Sequence, residues 1–202
     1  MHSKAFLLTC TLASLLLSVP ARGQHFSFGL AAGAGFNDAF QDHTFQGVDT
    51  QTHFFSDSKD FILGPTVDLG LPLNVSIEVD ALYRPLHLAS TNFVAPSRTF
   101  SSSTTVGTWE FPLLLKYRFP VPIPLVKPLV EVGPSFRAGS GGDASPSHHG
   151  ITLGAGLEAK IVKIKVTPQI RFTRWGSDSP ASIFAAPQTN ANQAEFLVGF
   201  SF

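Results

Sequence analysis

The clearest pattern in the chain is WEFPLLLKYRF at residues 109–119. Its odd-numbered positions are aromatic or aliphatic, whereas Glu110, Lys116 and Arg118 occupy even-numbered positions. Successive side chains of a β-strand point to opposite faces of the sheet. This stretch therefore predicts a strand with one apolar face and one face that carries charge.

The same alternation recurs in seven other segments. Each extends over about ten positions, which is the length that a tilted strand needs to cross a bilayer core. After residue 23, no window keeps a helical period. The sequence therefore predicts an all-β fold, an eight-stranded antiparallel up-and-down transmembrane β-barrel. The other predicted strands are 26–36, 61–70, 75–84, 126–137, 151–161, 164–172 and 194–202.

The connections between these strands alternate between long and short. Outer membrane barrels have short turns at the periplasmic end and longer loops at the extracellular end. The long connections are rich in Ser, Thr, Asn, Asp and His, as expected of loops in water. The predicted loops are 37–58, 86–104, 139–149 and 176–192, and the predicted turns are 71–74, 120–125 and 162–163.

The face opposite the apolar one carries seven acids and seven bases. A soluble barrel would have to bury these charges against an apolar interior, which is costly. A barrel in lipid turns the apolar face outward instead, and eight strands leave an interior about wide enough to be filled by side chains. We therefore expect a filled lumen with paired charges. The predicted lumen network is Asp68, Glu78, Asp80, Arg84, Glu110, Lys116, Arg118, Glu131, Arg137, Glu158, Lys160, Lys165, Arg171 and Glu195.

Aromatic residues at the strand ends predict two girdles at the membrane interfaces. Four lie at the loop-side ends and six at the turn-side ends. They are Phe36, Tyr83, Trp109 and Trp175 on the loop side, and Phe26, Phe28, Tyr117, Phe119, Phe200 and Phe202 on the turn side.

Five prolines fall inside the predicted strands. Each removes one hydrogen-bond donor from the sheet, so we expect them at bulges, near strand ends or where a neighbouring strand is absent. They are Pro65, Pro112, Pro128, Pro134 and Pro168.

Residues 1–23 have the pattern of a secretory signal peptide. Lys4 precedes the apolar stretch 6–19, and Ala21 and Gly23 are small residues at the positions that precede cleavage. We expect cleavage near Gly23, which leaves a barrel domain over 24–202. The single cysteine, Cys10, lies in the leader, so the mature chain has no disulfide to stabilise it.

Five motifs, taken in order, make the chain resemble the bacterial outer-membrane β-barrel proteins of the PorT-like kind. They are IEVDALY at 77–83, FPLLLKYRF at 111–119, KPLVEVGP at 127–134, LGAGLE at 153–158 and QIRFTRW at 169–175. The resemblance implies an eight-stranded barrel in a bacterial outer membrane and carries no catalytic residue. It also implies a C-terminal signal that barrel-insertion machinery recognises, formed by Phe196, Val198, Phe200 and Phe202.

Few residues suggest chemistry. His148 and His149 are adjacent, but a metal site needs further ligands, so we interpret them as part of a polar loop. His87 with Ser90 or Ser103 is the nearest approach to a hydrolase site on the outer surface, and it has no outward acid. We therefore expect no catalytic residue, no cofactor and no metal ion.

The sequence favours a small, non-enzymatic integral outer-membrane protein in which any recognition is performed by the extracellular loops. We expect it to be a monomer that contacts outer-membrane lipid and lipopolysaccharide. The balanced charge, with 14 basic and 14 acidic residues, argues against nucleic-acid binding. Three alternatives stay open: a narrow passive channel for small solutes or ions, a lipid-modifying hydrolase, and a soluble lipocalin-like carrier, which would need an apolar interior.

Overall fold

The computed structural model describes residues 25–37, 42–47, 49–56, 61–94, 98–123, 125–139, 147–161, 163–176 and 190–202. The signal peptide predicted at 1–23 lies outside these residues. Within the described part of the chain, no helix is long and apolar enough to cross a membrane.

The strands form one sheet that closes on itself, because β1 pairs with both β11 and β4. β5 and β6 occupy one position in the wall, separated at Ala81, so the wall has eight strand positions. The predicted eight-stranded antiparallel barrel is confirmed. The strands are β1 (His25–Gly35), β2 (His43–Gln46), β3 (Thr50–Ser56), β4 (Phe61–Gly70), β5 (Val75–Asp80), β6 (Leu82–Val94), β7 (Arg98–Arg118), β8 (Val126–Gly139), β9 (His149–Ile161), β10 (Ile164–Trp175) and β11 (Asn192–Ser201).

Two neighbouring strands of the wall, β6 and β7, continue beyond the loop-side rim. β6 and β7 stay paired as far as Val94 and Arg98, and β3 pairs with this upper part of β6 while β2 pairs with β3. We call this four-stranded extension, formed by 43–46, 50–56, 86–94 and 98–106, the projecting sheet. The prediction of loops at 37–58 and 86–104 was therefore wrong for these strands. Their Ser- and Thr-rich composition suits a hydrated loop, but Thr also fits well in a β-strand, and cross-strand pairing decides between the two.

The connections between strands at the turn-side end are short, as predicted. β4 ends at Gly70 and β5 begins at Val75, and the backbone N–H of Leu71 donates to the carbonyl of Val75. Leu73 and Asn74 have φ angles of 65° and 62°. Left-handed backbone is common for Asn and unusual for Leu, so this tight turn forces Leu73 into a strained conformation.

The two faces of the wall have the polarity that the alternation predicts. The Ile170 side chain is 55% exposed on the outer wall, whereas the next residue, Arg171, is 0% exposed in the lumen. A band of apolar side chains covers the outside of the barrel. It includes Phe28, Leu30, Leu63, Val79, Leu113, Leu115, Val130, Val132, Leu153, Ile170, Phe172 and Phe196.

Two of the strand prolines follow a glycine and coincide with gaps in the ladder. Pro65 lies opposite Ala81, where β5 and β6 separate, and Pro134 lies opposite Leu113, where the β7–β8 ladder is interrupted. A Cβ on the preceding Gly64 or Gly133 would clash with the backbone oxygen across the gap. The strands therefore approach closely where the proline removes a donor, and the register continues unchanged on both sides.

Candidate functional site

The side chain of Arg171, on β10, lies at the centre of the lumen. Its guanidinium donates through Nε to Glu131 Oε1 at 2.6 Å, through Nη1 to Asp80 Oδ2 at 2.7 Å and through Nη2 to Glu78 Oε1 at 2.9 Å. β10 and β5 lie on opposite sides of the eight-membered wall, so this one side chain bridges the full diameter. Lys116 Nζ joins the same cluster, at 2.5 Å from Glu78 Oε2 and 3.2 Å from Glu131 Oε2.

A second layer lies on the loop side of this cluster. Arg137 donates from Nη2 and Nε to Glu110 Oε1, at 2.7 and 3.1 Å. Arg84 Nη1 lies 3.7 Å from Glu110 Oε1 and 3.5 Å from Glu195 Oε2. Gln193 Oε1 accepts from both arginines, at 2.7 Å from Arg137 Nη2 and 3.1 Å from Arg84 Nη1. Two guanidinium groups are thus held side by side by shared acceptors.

The prediction that Trp175 belongs to the loop-side aromatic girdle was wrong. Its side chain is 4% exposed and faces the lumen, its ring packs 3.8 Å from the Arg137 guanidinium carbon, and its Nε1 donates to Gln193 at 3.0 Å. The prediction missed that Trp175 shares the parity of Arg171 on β10. On the outer wall, the Tyr83 and Trp109 rings lie 5.4 Å apart at the same end.

A third layer lies on the turn side. Arg118 donates from Nε to Glu158 Oε2 at 2.7 Å, from Nη2 to Asp68 Oδ2 at 2.9 Å and from Nη1 to Ser76 Oγ at 2.6 Å. The Ser76 hydroxyl in turn donates to Asp68 Oδ2 at 2.8 Å. A water-sized cavity of about 20 Å³ lies between this layer and the Lys116 cluster.

The structure brings twelve of the fourteen predicted lumen residues into these three layers. Lys160 and Lys165 instead lie at the turn-side mouth, where they line a cavity of about 730 Å³ that also contains Lys127 and Lys163. We call this cavity the turn-side vestibule. Both lysines lie on the inward face of their strands but do not reach the network in which the prediction counted them.

Several uncharged residues of the lumen were absent from the predicted network. The hydroxyl groups of Ser135, Thr152 and Thr173 form a chain across β8, β9 and β10, with oxygens 2.5 and 2.7 Å apart. These residues and Gln193 share one sequence feature: each is a polar residue at an inward-facing position of a strand. The apolar cluster of Ala31, Ile62, Leu82 and Leu197 fills the remaining side of the lumen.

The residues considered for catalysis or metal binding lie apart from this network. His87 Nδ1 is 2.9 Å from Thr105 Oγ1, while Ser90 pairs across the strands with Ser102 and Ser103 with Ala89. His149 begins β9 rather than lying in a loop. In the described segments, no group of three His, Cys, Asp or Glu residues could hold a metal ion.

The four residues of the predicted C-terminal signal share the outward parity of β11. Phe196, Phe200 and Phe202 are exposed on the wall, and Val198 pairs with Ala32 and Pro168. Phe202 also completes the closure, because its backbone N–H donates to Phe28 and its carbonyl accepts from Ser27 Oγ.

Residues 7–202 match the family described as outer membrane protein beta-barrel domain. The chain belongs to this family. No curated protein sequence matches it. OprG, an outer membrane protein from Pseudomonas aeruginosa, is similar in structure, with a TM-score of 0.55 and 12% identity over 89% of this chain and 96% of that one. Neisserial surface protein A has a TM-score of 0.50 and 17% identity over 89% of this chain and 98% of that one.

These similarities show the fold alone. Family membership indicates an outer membrane location, so the apolar outer wall is the surface that meets lipid. The finer PorT-like resemblance stays a prediction.

Proposed function

We propose that this protein is a non-enzymatic, non-conducting barrel of the bacterial outer membrane that displays the projecting sheet to the outside of the cell. The observation that carries the proposal is the filled lumen, in which side chains from opposite strands meet in three successive layers. We expect the connections from β8 to β9 and from β10 to β11, which leave the barrel at the same end, to contribute to the displayed surface.

The lumen layers argue against conduction. Arg171 spans from β10 to β5 and contacts three carboxylates at 2.6–2.9 Å. Opening a path through this layer would separate buried ions from their partners, which costs several kcal/mol per ion. The cavity between the turn-side layer and the Lys116 cluster holds about one water molecule.

Planar-bilayer recording tests this part of the proposal. The wild-type protein should give no conductance above that of bilayers without protein. A stable, ohmic conductance of the wild-type protein would overturn the proposal and favour the narrow channel instead.

Display of the projecting sheet is testable with single cysteines, since Cys10 is the only cysteine in the chain and lies in the predicted leader. Ser101→Cys is in the exposed upper part of β7, and Asn74→Cys is in the exposed turn at the other end. A 5 kDa maleimide should label Ser101→Cys on intact cells and Asn74→Cys only after the outer membrane is permeabilised. Reversed labelling would contradict the proposed orientation.

Export and insertion carry their own test. We propose that the leader is cleaved near Gly23, that insertion machinery recognises the end of β11, and that the barrel is a monomer in lipid. The exported protein should fractionate with the outer membrane, and Phe202→Ala should lower the inserted fraction. Recovery of the wild-type protein in the soluble periplasm would overturn the assignment.

We also propose that the protein has no enzymatic activity. His87 lies beside Thr105 on β7, and Glu110, the acid with which β6 pairs on β7, is buried in the lumen. Overexpression should leave the mass spectrum of lipid A unchanged. A gain or loss of an acyl chain that disappears in His87→Ala would establish the hydrolase alternative.

A further inference from the structure

The turn-side vestibule collects lysines at the mouth of the barrel. Its lining includes Lys127 near the start of β8, Lys160 at the end of β9, Lys163 in the turn and Lys165 at the start of β10. Lys160 and Lys165 are directly opposite each other in the β9–β10 ladder. Like charges placed opposite each other in a sheet repel, so this arrangement needs a reason other than stability.

Both acidic side chains of the vestibule accept hydrogen bonds from Arg118. Glu158 is opposite Lys127 in the β8–β9 ladder, but its Oε2 accepts from Arg118 at 2.7 Å. Asp68 likewise accepts from Arg118, at 2.9 Å. With Arg118 included, five basic side chains line the cavity against these two acids. The side chains of the vestibule therefore carry a net positive charge.

The lysines face the lumen rather than the lipid. Lys127, Lys160 and Lys165 share the parity of Glu131, Glu158 and Arg171 on their strands, all of which point inward. A cation that binds lipid headgroups would instead lie on the outer wall. The parity favours a ligand that enters from the aqueous space at the turn side.

The chemistry and the size of the vestibule define the ligand. Lysine ammonium groups act as flexible point charges and bind phosphate groups without a fixed geometry. A volume of about 730 Å³ lies within the range of small-molecule sites. We infer that the turn-side vestibule binds a soluble, multivalent, phosphate-bearing small molecule from the periplasmic side.

The experiment uses the full mature chain in phosphatidylcholine nanodiscs, with tripolyphosphate as the probe and isothermal titration calorimetry as the readout. We expect saturable binding of one tripolyphosphate per barrel, weakening as salt is added because the attraction is electrostatic. The double variant Lys160→Gln/Lys165→Gln should lower the affinity at least tenfold. Arg98→Gln, which removes an exposed cation from the projecting sheet, is the matched control and should bind as the wild type does.

Three results would overturn the inference: no saturable binding, an unchanged affinity in the double variant, or an equal loss in Arg98→Gln. A further arm replaces part of the lipid with phosphatidylglycerol. Unchanged tripolyphosphate binding supports a soluble ligand, whereas competition by this anionic lipid would assign the site to a headgroup. Both variants leave the three lumen layers intact, so gel mobility of the folded barrel separates loss of binding from loss of folding. The outcome is independent of whether the lumen conducts.

Discussion

The middle of the lumen and the turn-side vestibule both carry charged side chains on the inward face of the wall. The two regions differ in how deeply these side chains are buried and in what they contact. Arg171 and Lys116 share Glu78 and Glu131, Arg171 also contacts Asp80, and both cations are almost fully buried. Lys160 and Lys163 are exposed at the mouth, and Lys160 lies opposite Lys165. Desolvation makes an unpaired charge costly in the middle, while water screens it at the mouth. Depth along the barrel, and not the number of charges, therefore decides which residues must pair.

The largest expected effect comes from removing the central cation. Arg171→Met removes the cation that contacts Glu78, Asp80 and Glu131 together, so the free energy of unfolding should fall by about 3–5 kcal/mol. Urea unfolding of the barrel in detergent or lipid measures it. Arg174→Met, three residues along the same strand and exposed outward, should change stability by less than about 0.5 kcal/mol.

If Arg171→Met does not fold, Arg171→Lys keeps one positive charge and should lie between Arg171→Met and the wild type in folded yield. Equal stability of Arg171→Met and Arg174→Met would show that the central cluster does not stabilise the fold.

A charge on the other side of the same strand tests the outer wall. Ile170 is 55% exposed near the middle of β10, where lipid surrounds the barrel. Ile170→Arg should destabilise the barrel in a bilayer by about 2–4 kcal/mol, because a cation near the midplane loses its hydration. Ile170→Leu is the control and should have little effect. A small loss for the arginine variant in lipid would place Ile170 outside the hydrocarbon core.

The layer nearest the vestibule should give an intermediate effect. Arg118 bonds to Asp68, Glu158 and Ser76 but is less buried than Arg171. Arg118→Gln should cost about 1–3 kcal/mol, because charged acceptors lose their donor where some water can replace it. The same unfolding measurement applies, with Lys127→Gln as a neighbouring control. A loss as large as that of Arg171→Met would contradict a dependence on depth.

The smallest effect is expected at the mouth. Lys165→Gln removes a cation that lies opposite Lys160, so the free energy of unfolding should stay within about 0.5 kcal/mol of the wild type or rise slightly. Adding salt should reduce any difference between the two, because screening weakens the repulsion. A clear destabilisation would mean that Lys165 has a stabilising partner in the folded barrel.

The architecture of the barrel was predictable because alternation is a local property. Successive residues of WEFPLLLKYRF point alternately outward and inward. A shift of the strand by one residue would therefore turn every charge toward lipid. The inward position of Glu78, Glu131 and Arg171 follows directly from this parity. Trp175 shows how the prediction fails, because its aromatic character suggested the interface while its parity already placed it inside.

The projecting sheet was not predictable in the same way. Residues 98–106 are mainly Ser and Thr, a composition that fits both a hydrated loop and a strand, and only their pairing with β6 makes them a strand.

The sequence by itself determined the number of barrel strands, the face on which each side chain lies and the end that carries the short turns, because these depend on local periodicity and spacing. The tertiary structure alone decided which cation meets which carboxylate, that Lys160 and Lys165 line a vestibule instead of joining the central network, and that β2 and β3 extend the wall. These outcomes depend on the closure and depth of the barrel, which bring together residues as far apart in the chain as Glu78 and Arg171.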